Sequence, residues 1–201
     1  MARFSMTGLP KTETFIEEYF IDESLCHEIT EYFEKRTDLQ RQGTLGDSQI
    51  DSSRKASTDM TLDDCEEYFH LYFGAIYPFF RDYCEKYRVN SNEFPMRFFE
   101  GTNIQKYLPN QGYFKEHHER ANIDLVRLSR ELVFMTYLNT IEDFTENQGA
   151  TVFPFQNQFV RPEIGKTLIW PAGFTHRHYG ITHQSETKYI VTGWRHLIIE
   201  Q

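Results

Sequence analysis

The 201-residue sequence predicts a single mostly β domain with α-helices at its N-terminal end. Three observations carry that reading. Apolar residues recur at helical spacing in the first half of the chain, and short runs of β-branched and aromatic residues follow Pro95. No GxGxxG or GxxxxGKS/T loop is present, so nucleotide-binding α/β folds have no support. A composition of 39% hydrophobic and 25% charged residues is globular, and a chain of this length buries a core without disulfides. Residues 1–95 read as a mostly helical support region and residues 96–201 as the β core.

The first helix is expected from Asp22 to Arg36, where Leu25, Ile29 and Phe33 form one apolar stripe and Asp22 occupies the N-cap position. The polar stretch from Thr37 to Ser57 reads as a loop with room for a short strand. Thr61-Leu-Asp-Asp64 has a capping-box pattern ahead of a second helix running towards Tyr77, which Pro78 should end or kink. Strands are expected at Phe98–Leu108, Leu132–Asn139, Phe159–Arg161, Thr167–Trp170 and Lys188–Leu197. Turn residues separate them at Pro109 to Gly112, Asn147 to Gly149, Pro162 to Gly165 and Pro171 to Gly173. Short strands at such intervals suggest an antiparallel sandwich or barrel.

Charge narrows the partners. The chain has 21 basic and 30 acidic residues, a net charge of −9. Nucleic acid and anionic membrane surfaces are therefore poor partners, and a neutral or basic peptide suits the surface better than an acidic one. Cys26, Cys65 and Cys84 form no CxxC pair and read as reduced thiols. The first residues have no apolar signal-peptide core, and the longest apolar stretch, Leu71–Phe80, is about half a membrane span. A cytoplasmic location is expected.

Three patterns carry chemistry. In Phe114-Lys-Glu-His117-His118-Glu119, strand alternation would turn His117 and Glu119 to one side and His118 to the other. The same triplet also suits a solvated strand end. His176-Arg-His178 follows a Trp-Pro-Ala-Gly turn and could supply a third ligand. Two histidines and one carboxylate on one face are typical of non-haem Fe(II) oxygenases, whereas the HExxH helix of zinc hydrolases is absent. In Lys188-Tyr-Ile-Val-Thr-Gly-Trp194, parity places Lys188, Ile190, Thr192 and Trp194 on one face. A lysine there either snorkels at an edge or pairs with a buried anion.

In series, these patterns resemble the iron(II)- and 2-oxoglutarate-dependent dioxygenases, in particular their prolyl 4-hydroxylase-like branch. The resemblance spans Tyr107 to Trp194. It includes the tyrosine and H-x-D/E triplet at Tyr107 and His117–Glu119, the Tyr-Leu-Asn strand at Tyr137–Asn139, and the Thr-x-Phe element at Thr151–Phe153. It continues through Pro162-Glu-Ile-Gly and Trp170-Pro171 to the distal histidine and a basic residue ten positions later, His178 and Lys188. That ten-residue interval selects His178 over His176. Two departures stand out: Glu119 takes the place of the usual aspartate, and Gln148-Gly149 replaces a glycine pair. Neither a secretory signal nor an ER-retention tail supports a collagen-processing role.

The resemblance implies a double-stranded β-helix, the jelly-roll core shared with cupins, and Fe(II) held by His117, Glu119 and His178. It implies 2-oxoglutarate as cosubstrate with its far carboxylate on Lys188, and Tyr107, Tyr137 and Thr192 as hydroxyl partners. Dioxygen would be consumed, and succinate and carbon dioxide released, as a C–H bond of a prolyl residue, another amino acid or a small molecule is hydroxylated. Ascorbate is a further expected cofactor. Trp194 would wall the pocket, His118, His176 and His183 would be bystanders, and Thr37–Ser57 and Arg120–Arg130 would be candidate lids. Two other readings compete. A cupin-like metal-binding protein would bind metal and ignore 2-oxoglutarate, and a plain interaction domain would bind neither.

Overall fold

The computed structural model describes residues 13–45, 49–89, 96–98, 101–120 and 124–198. The first half contains β1 (Glu17–Phe20), α1 (Glu23–Lys35), β2 (Arg41–Gln42), β3 (Lys55–Ala56), β4 (Thr58–Thr61), α2 (Glu66–Lys86) and β5 (Met96–Phe98). The second half contains β6 (Asn103–Tyr107), β7 (Gly112–Tyr113), α3 (Leu125–Leu128), β8 (Arg130–Tyr137), β9 (Thr151–Phe153), β10 (Gln158–Val160), β11 (Lys166–Pro171), β12 (Tyr179–Gly180) and β13 (Lys188–Leu197). An eight-stranded sheet runs β1-β11-β8-β13-β6-β4-β2, with β5 also on β13. A smaller sheet runs β10-β9-β12, and β3 pairs with β7. All these pairings are antiparallel. This is the mostly β architecture with N-terminal helices that the sequence predicts, including the jelly-roll core.

Strand alternation builds two apolar layers from the same central strands. On β8, Leu132 and Phe134 join Val191 of β13 and the helices in one cluster, whose helical members include Cys26, Ile29, Phe33, Tyr72, Ile76 and Phe80. The alternate residues Val133, Met135 and Tyr137 join Phe153, Leu168, Trp170 and Ile190 in a second cluster on the opposite face. Gly193 leaves room for the Phe134 ring against β13, because a Cβ there would sit 2.4 Å from Phe134 Cζ. No helix among the described residues is long and apolar enough to cross a membrane.

Helix α1 starts where expected, with the Asp22 carboxylate accepting from Ser24 N at 2.7 Å. Its buried stripe is Cys26, Ile29 and Phe33, while Leu25 is only partly buried at the margin of the cluster. The second helix departs from expectation at both ends. Thr61–Asp64 leads into a 3₁₀ turn at Leu62–Asp64, and the N-cap of α2 is Cys65 with no side-chain cap. Asp63 Oδ1 instead accepts from Thr102 N at 3.1 Å. Helix α2 also runs through Pro78 to Lys86. Pro78 faces solvent, as does Gly74 four residues earlier, so the displaced carbonyl meets water. Tyr72 and Ile76 before the proline, and Phe80 and Tyr83 after it, anchor both sides in the core.

The expected strand from Phe98 to Leu108 divides into β5 and β6, and residues 99–100 lie outside the described residues. The edge strand β1 has no counterpart among the expected elements. It docks through Gly165, whose N–H donates to Tyr137 O and whose carbonyl accepts from Ile21 N at 3.0 Å. Gly165 has φ +80°, and a Cβ there would lie 2.5 Å from Ile21 O, so glycine is required on both counts.

Candidate metal centre

His117, Glu119 and His178 converge, with one ligand atom from each lying within 4.8 Å of the others. The local backbone differs from the expected strand. Phe114 to Glu119 forms no ladder, and His117 makes an isolated antiparallel bridge with His178. His117 N donates to His178 O at 3.0 Å and His178 N to His117 O at 2.8 Å. Two segments sixty-one positions apart are thus locked side by side, with both imidazoles on one side of the bridge.

Each imidazole is oriented from behind. His117 Nδ1 donates to Lys115 O at 2.8 Å and His178 Nδ1 to His176 O at 3.0 Å. Both Nε2 atoms are therefore turned towards Glu119, where loss of the Nε2 proton presents the lone pair a metal requires. They lie 3.4 and 3.3 Å from Glu119 Oε1. The other carboxylate oxygen, Oε2, accepts from Arg130 Nη1 at 3.2 Å and from Trp194 Nε1 at 3.0 Å. Arg130 lies over the Trp194 ring, 3.6 Å from its centroid. The extra methylene of glutamate is absorbed by this pair of donors, which hold Oε2 and turn Oε1 towards the histidines.

The electrostatics suit a cation. Burial works to raise the Glu119 carboxyl, but hydrogen bonds and charge from His117 and His178 hold it well below the usual carboxylate range. Burial, then the neighbouring His178, lowers His117 and favours its neutral form. Two neutral imidazole nitrogens and one carboxylate oxygen on one face are the donor set of non-haem Fe(II) sites with open positions.

The centre opens into a cavity of about 700 Å³, within the usual range for small-molecule sites. Lys188, Ile190, Thr192 and Trp194, the face marked by parity, all line it. Lys188 is buried, and its Nζ reaches Gly149 O at 3.4 Å and lies 5.4 Å from the Tyr107 ring centroid. No carboxylate among the described residues lies within 4.0 Å of it. Burial lowers its ammonium to about 8.

The other expected residues occupy different positions. Tyr107 lines the cavity and donates to Gln105 Oε1 at 2.7 Å. Tyr137 stands one step back, because its hydroxyl donates to Thr151 Oγ1 at 2.7 Å and Thr151 is the residue on the wall. Thr192 Oγ1 donates to Phe134 O at 3.1 Å. His118 is on the wall, although alternation would have turned it away. His176 is outside the ligand set, with Nε2 on Thr14 O and Nδ1 on Thr175 Oγ1, and only its backbone serves the site. His183 binds Asp143 O, Ser185 N and Glu186 N in a turn. Both expected lids contribute to the wall, through Arg41, Arg54 and Lys55 of one and Arg127 and Arg130 of the other. Of the second lid, residues 121–123 lie outside the described residues.

Sequence reasoning missed Arg130, Thr151 and Tyr113, whose ring stacks on His117 with centroids 3.7 Å apart. Thr151 was within reach, since it is the threonine of the Thr-x-Phe element. Arg130 and Tyr113 carried no signal of their own.

The model of the 2OG-Fe(II) oxygenase superfamily matches residues 102–196. No curated protein matches the chain. Among solved structures, the chain is similar to a viral collagen prolyl hydroxylase from Paramecium Bursaria Chlorella virus-1 in its 2OG complex. That pair is 17% identical with a TM-score of 0.62, over 92% of this chain and 97% of the other. It is also similar to a Trichoplax adhaerens prolyl hydroxylase in complex with a hypoxia inducible factor oxygen degradation domain peptide fragment, at 15% identity and TM-score 0.71, over 90% and 83% of the two chains. A Pseudomonas putida prolyl-4-hydroxylase matches at 14% identity and TM-score 0.69, over 90% and 92%.

Proposed function

The chain belongs to the 2OG-Fe(II) oxygenase superfamily, and from that premise we propose that it hydroxylates an unactivated C–H bond of a prolyl or other amino-acid residue. The observation that carries the reading is the placement of Lys188 in the cavity of the His117–Glu119–His178 face. A buried ammonium with no protein carboxylate beside it calls for an anion. A dicarboxylate spanning metal and lysine meets both needs.

His117, Glu119 and His178 would hold Fe(II). Fe(II) held there would supply the oxidation, in which 2-oxoglutarate and dioxygen are consumed, one oxygen atom enters the C–H bond, the other enters succinate, and carbon dioxide leaves. The protein orients and encloses. Lys188 fixes the far carboxylate of 2-oxoglutarate by a charge-assisted bond, with the Tyr107, Thr151 and Thr192 hydroxyls on the same wall. Met135, Ile190 and Trp194 form its apolar part and exclude water. Arg130 and Trp194 hold Glu119 in the ligating rotamer. The fold of three prolyl hydroxylases supports prolyl hydroxylation as the first activity to assay. Ascorbate belongs to the same reading, as the reductant that sustains repeated turnover.

Anaerobic titration of the apoprotein with Fe(II) and 2-oxoglutarate tests it without a substrate. A saturable visible charge-transfer band is expected, abolished in His178→Ala and kept in His176→Ala. On admitting air, succinate should form. Tight zinc binding with neither band nor succinate would overturn the proposal in favour of the cupin-like reading.

A further inference from the structure

The chain as a whole is acidic, yet its cavity is basic. Six basic side chains line it, Arg41, Arg54, Lys55, Arg127, Arg130 and Lys188, against the carboxylates of Asp59 and Glu119 among the described residues. Four of these charges are committed. Lys55 Nζ is 2.7 Å from Asp59 Oδ2, in a buried pair that Ser57 and Gln105 complete. Arg130 holds Glu119, and Arg127 pairs with Asp124 at 3.2 Å. Lys188 faces the end of the cavity assigned to 2-oxoglutarate. With that cosubstrate dianionic, its charge, a divalent metal, Glu119, Arg130 and Lys188 sum to +1, so the loaded centre offers no anion to the remaining cations.

Arg41 and Arg54 are left over. Arg41 Nη2 donates to Thr61 Oγ1 at 2.7 Å and Asn103 Oδ1 at 3.2 Å, neutral acceptors that aim the guanidinium without cancelling its charge. Arg54 has Asp51 as a nearby counter-charge but no ion pair with it within 4.0 Å, and its Nε is buried with no hydrogen-bond partner. A guanidinium N–H in that state lacks an acceptor, and burial without one is unfavourable. Both arginines line the cavity that opens from the metal centre, and Arg54 is tied to it through the backbone. The Arg54 carbonyl accepts from Phe114 N at 2.9 Å and Lys115 N at 3.3 Å, in the segment that carries His117. The adjoining Lys55 pairs with Tyr113, the ring stacked on His117. Arg41 is exposed on the last strand of the large sheet, at the rim.

We propose that the substrate is an acidic peptide, with side-chain carboxylates flanking the hydroxylated residue paired with Arg41 and Arg54. This rests on the oxygenase reading above and reverses the preference for a neutral or basic peptide that net charge alone suggests. The surface average is irrelevant at the mouth, because exposed charges beyond ~10 Å are screened at ordinary ionic strength.

The test uses holoenzyme loaded anaerobically with Fe(II) and 2-oxoglutarate, and fluorescein-labelled peptides in which one proline is flanked by glutamates, glutamines or lysines. Anisotropy should show the glutamate peptide binding at least about ten-fold tighter than the glutamine peptide, weakening with salt, and the lysine peptide weakest. Arg41→Gln and Arg54→Gln should each cut the glutamate-to-glutamine ratio about five-fold, with melting temperature as the fold control. Arg36→Gln, a cation outside the cavity, should leave the ratio unchanged. Equal affinities, absence of binding by all three peptides, or a lysine preference overturns the proposal, as does displacement by N-acetylglutamate as effective as by the peptide. The charge-transfer band in the same samples separates the two readings. A band without glutamate preference removes the acidic peptide alone, and absence of the band removes both.

Discussion

On its helical face, the large sheet surrounds Phe134 with Tyr72, Phe73, Phe80 and Phe98, at ring-centroid separations of 6.2, 5.9, 5.8 and 5.9 Å. On its other face, Met135 next in sequence lines a cavity shared with Lys188, Glu119 and three histidines. The faces differ in how they treat polar groups. Behind Phe134 the buried hydroxyls satisfy one another, Tyr72 with Thr136 Oγ1 at 2.8 Å and Thr136 with Thr167 at 2.7 Å, and the Arg195 guanidinium lies over the Phe80 and Phe98 rings. The polar groups facing the cavity include six cations, of which Lys188 has no carboxylate within 4.0 Å among the described residues. One face is organised for stability, and the other carries an imbalance that only ligands correct.

Breaking the first face should be the costlier change to the fold. Phe134→Ala is expected to destabilise the protein by about 3–5 kcal/mol in urea unfolding, as for other large aromatic truncations. An effect below about 1 kcal/mol would show that the ring cluster is not the stabilising layer.

Lys188→Met probes the opposite face in two ways. Affinity for 2-oxoglutarate should fall on the order of 100-fold by calorimetry, with metal affinity largely retained. The cofactor-free protein should behave inversely. Burial lowers Lys188 from 10.5 to about 8 in the native state, so between those values the unfolded chain binds more protons. The penalty is complete below pH 8 and is relieved as pH rises to about 10.5. Native stability relative to Lys188→Met should therefore rise by about 3 kcal/mol across that window. Parallel stability profiles of the two proteins would refute the assignment of a buried, uncompensated cation.

Smaller effects sharpen the contrast. Trp194→Phe removes the Nε1 donor to Glu119 and should weaken metal binding about ten-fold in chelator competition, with little change in melting temperature. Tyr72→Phe should cost about 1 kcal/mol of stability and leave metal affinity unchanged. A reversal of these two readouts would mean that the faces are not independent.

Much of this was legible locally. Strand parity assigned Lys188, Ile190, Thr192 and Trp194 to one face because alternation is a period the chain carries by itself, and the family resemblance, through its ten-residue interval, chose His178. Pro78 shows the limit of such rules: it should have ended a helix, yet exposure at that position and aromatic anchors on both sides carry α2 through it. Tyr137 shows another, since its motif marked it for the ligand while packing placed Thr151 between them.

The sequence by itself determined the His117-x-Glu119 and His176-x-His178 spacings, the alternation along β13 and the apolar stripe of α1, all properties of neighbours within a turn or a strand. Only the tertiary structure decided that His117 bridges His178, that Arg130 and Trp194 take up the longer Glu119 side chain, and that Arg41 and Arg54 of an acidic chain meet at one cavity. Those outcomes depend on pairing between distant segments, where the packing of the whole sheet, and no local period, sets which side chains come together.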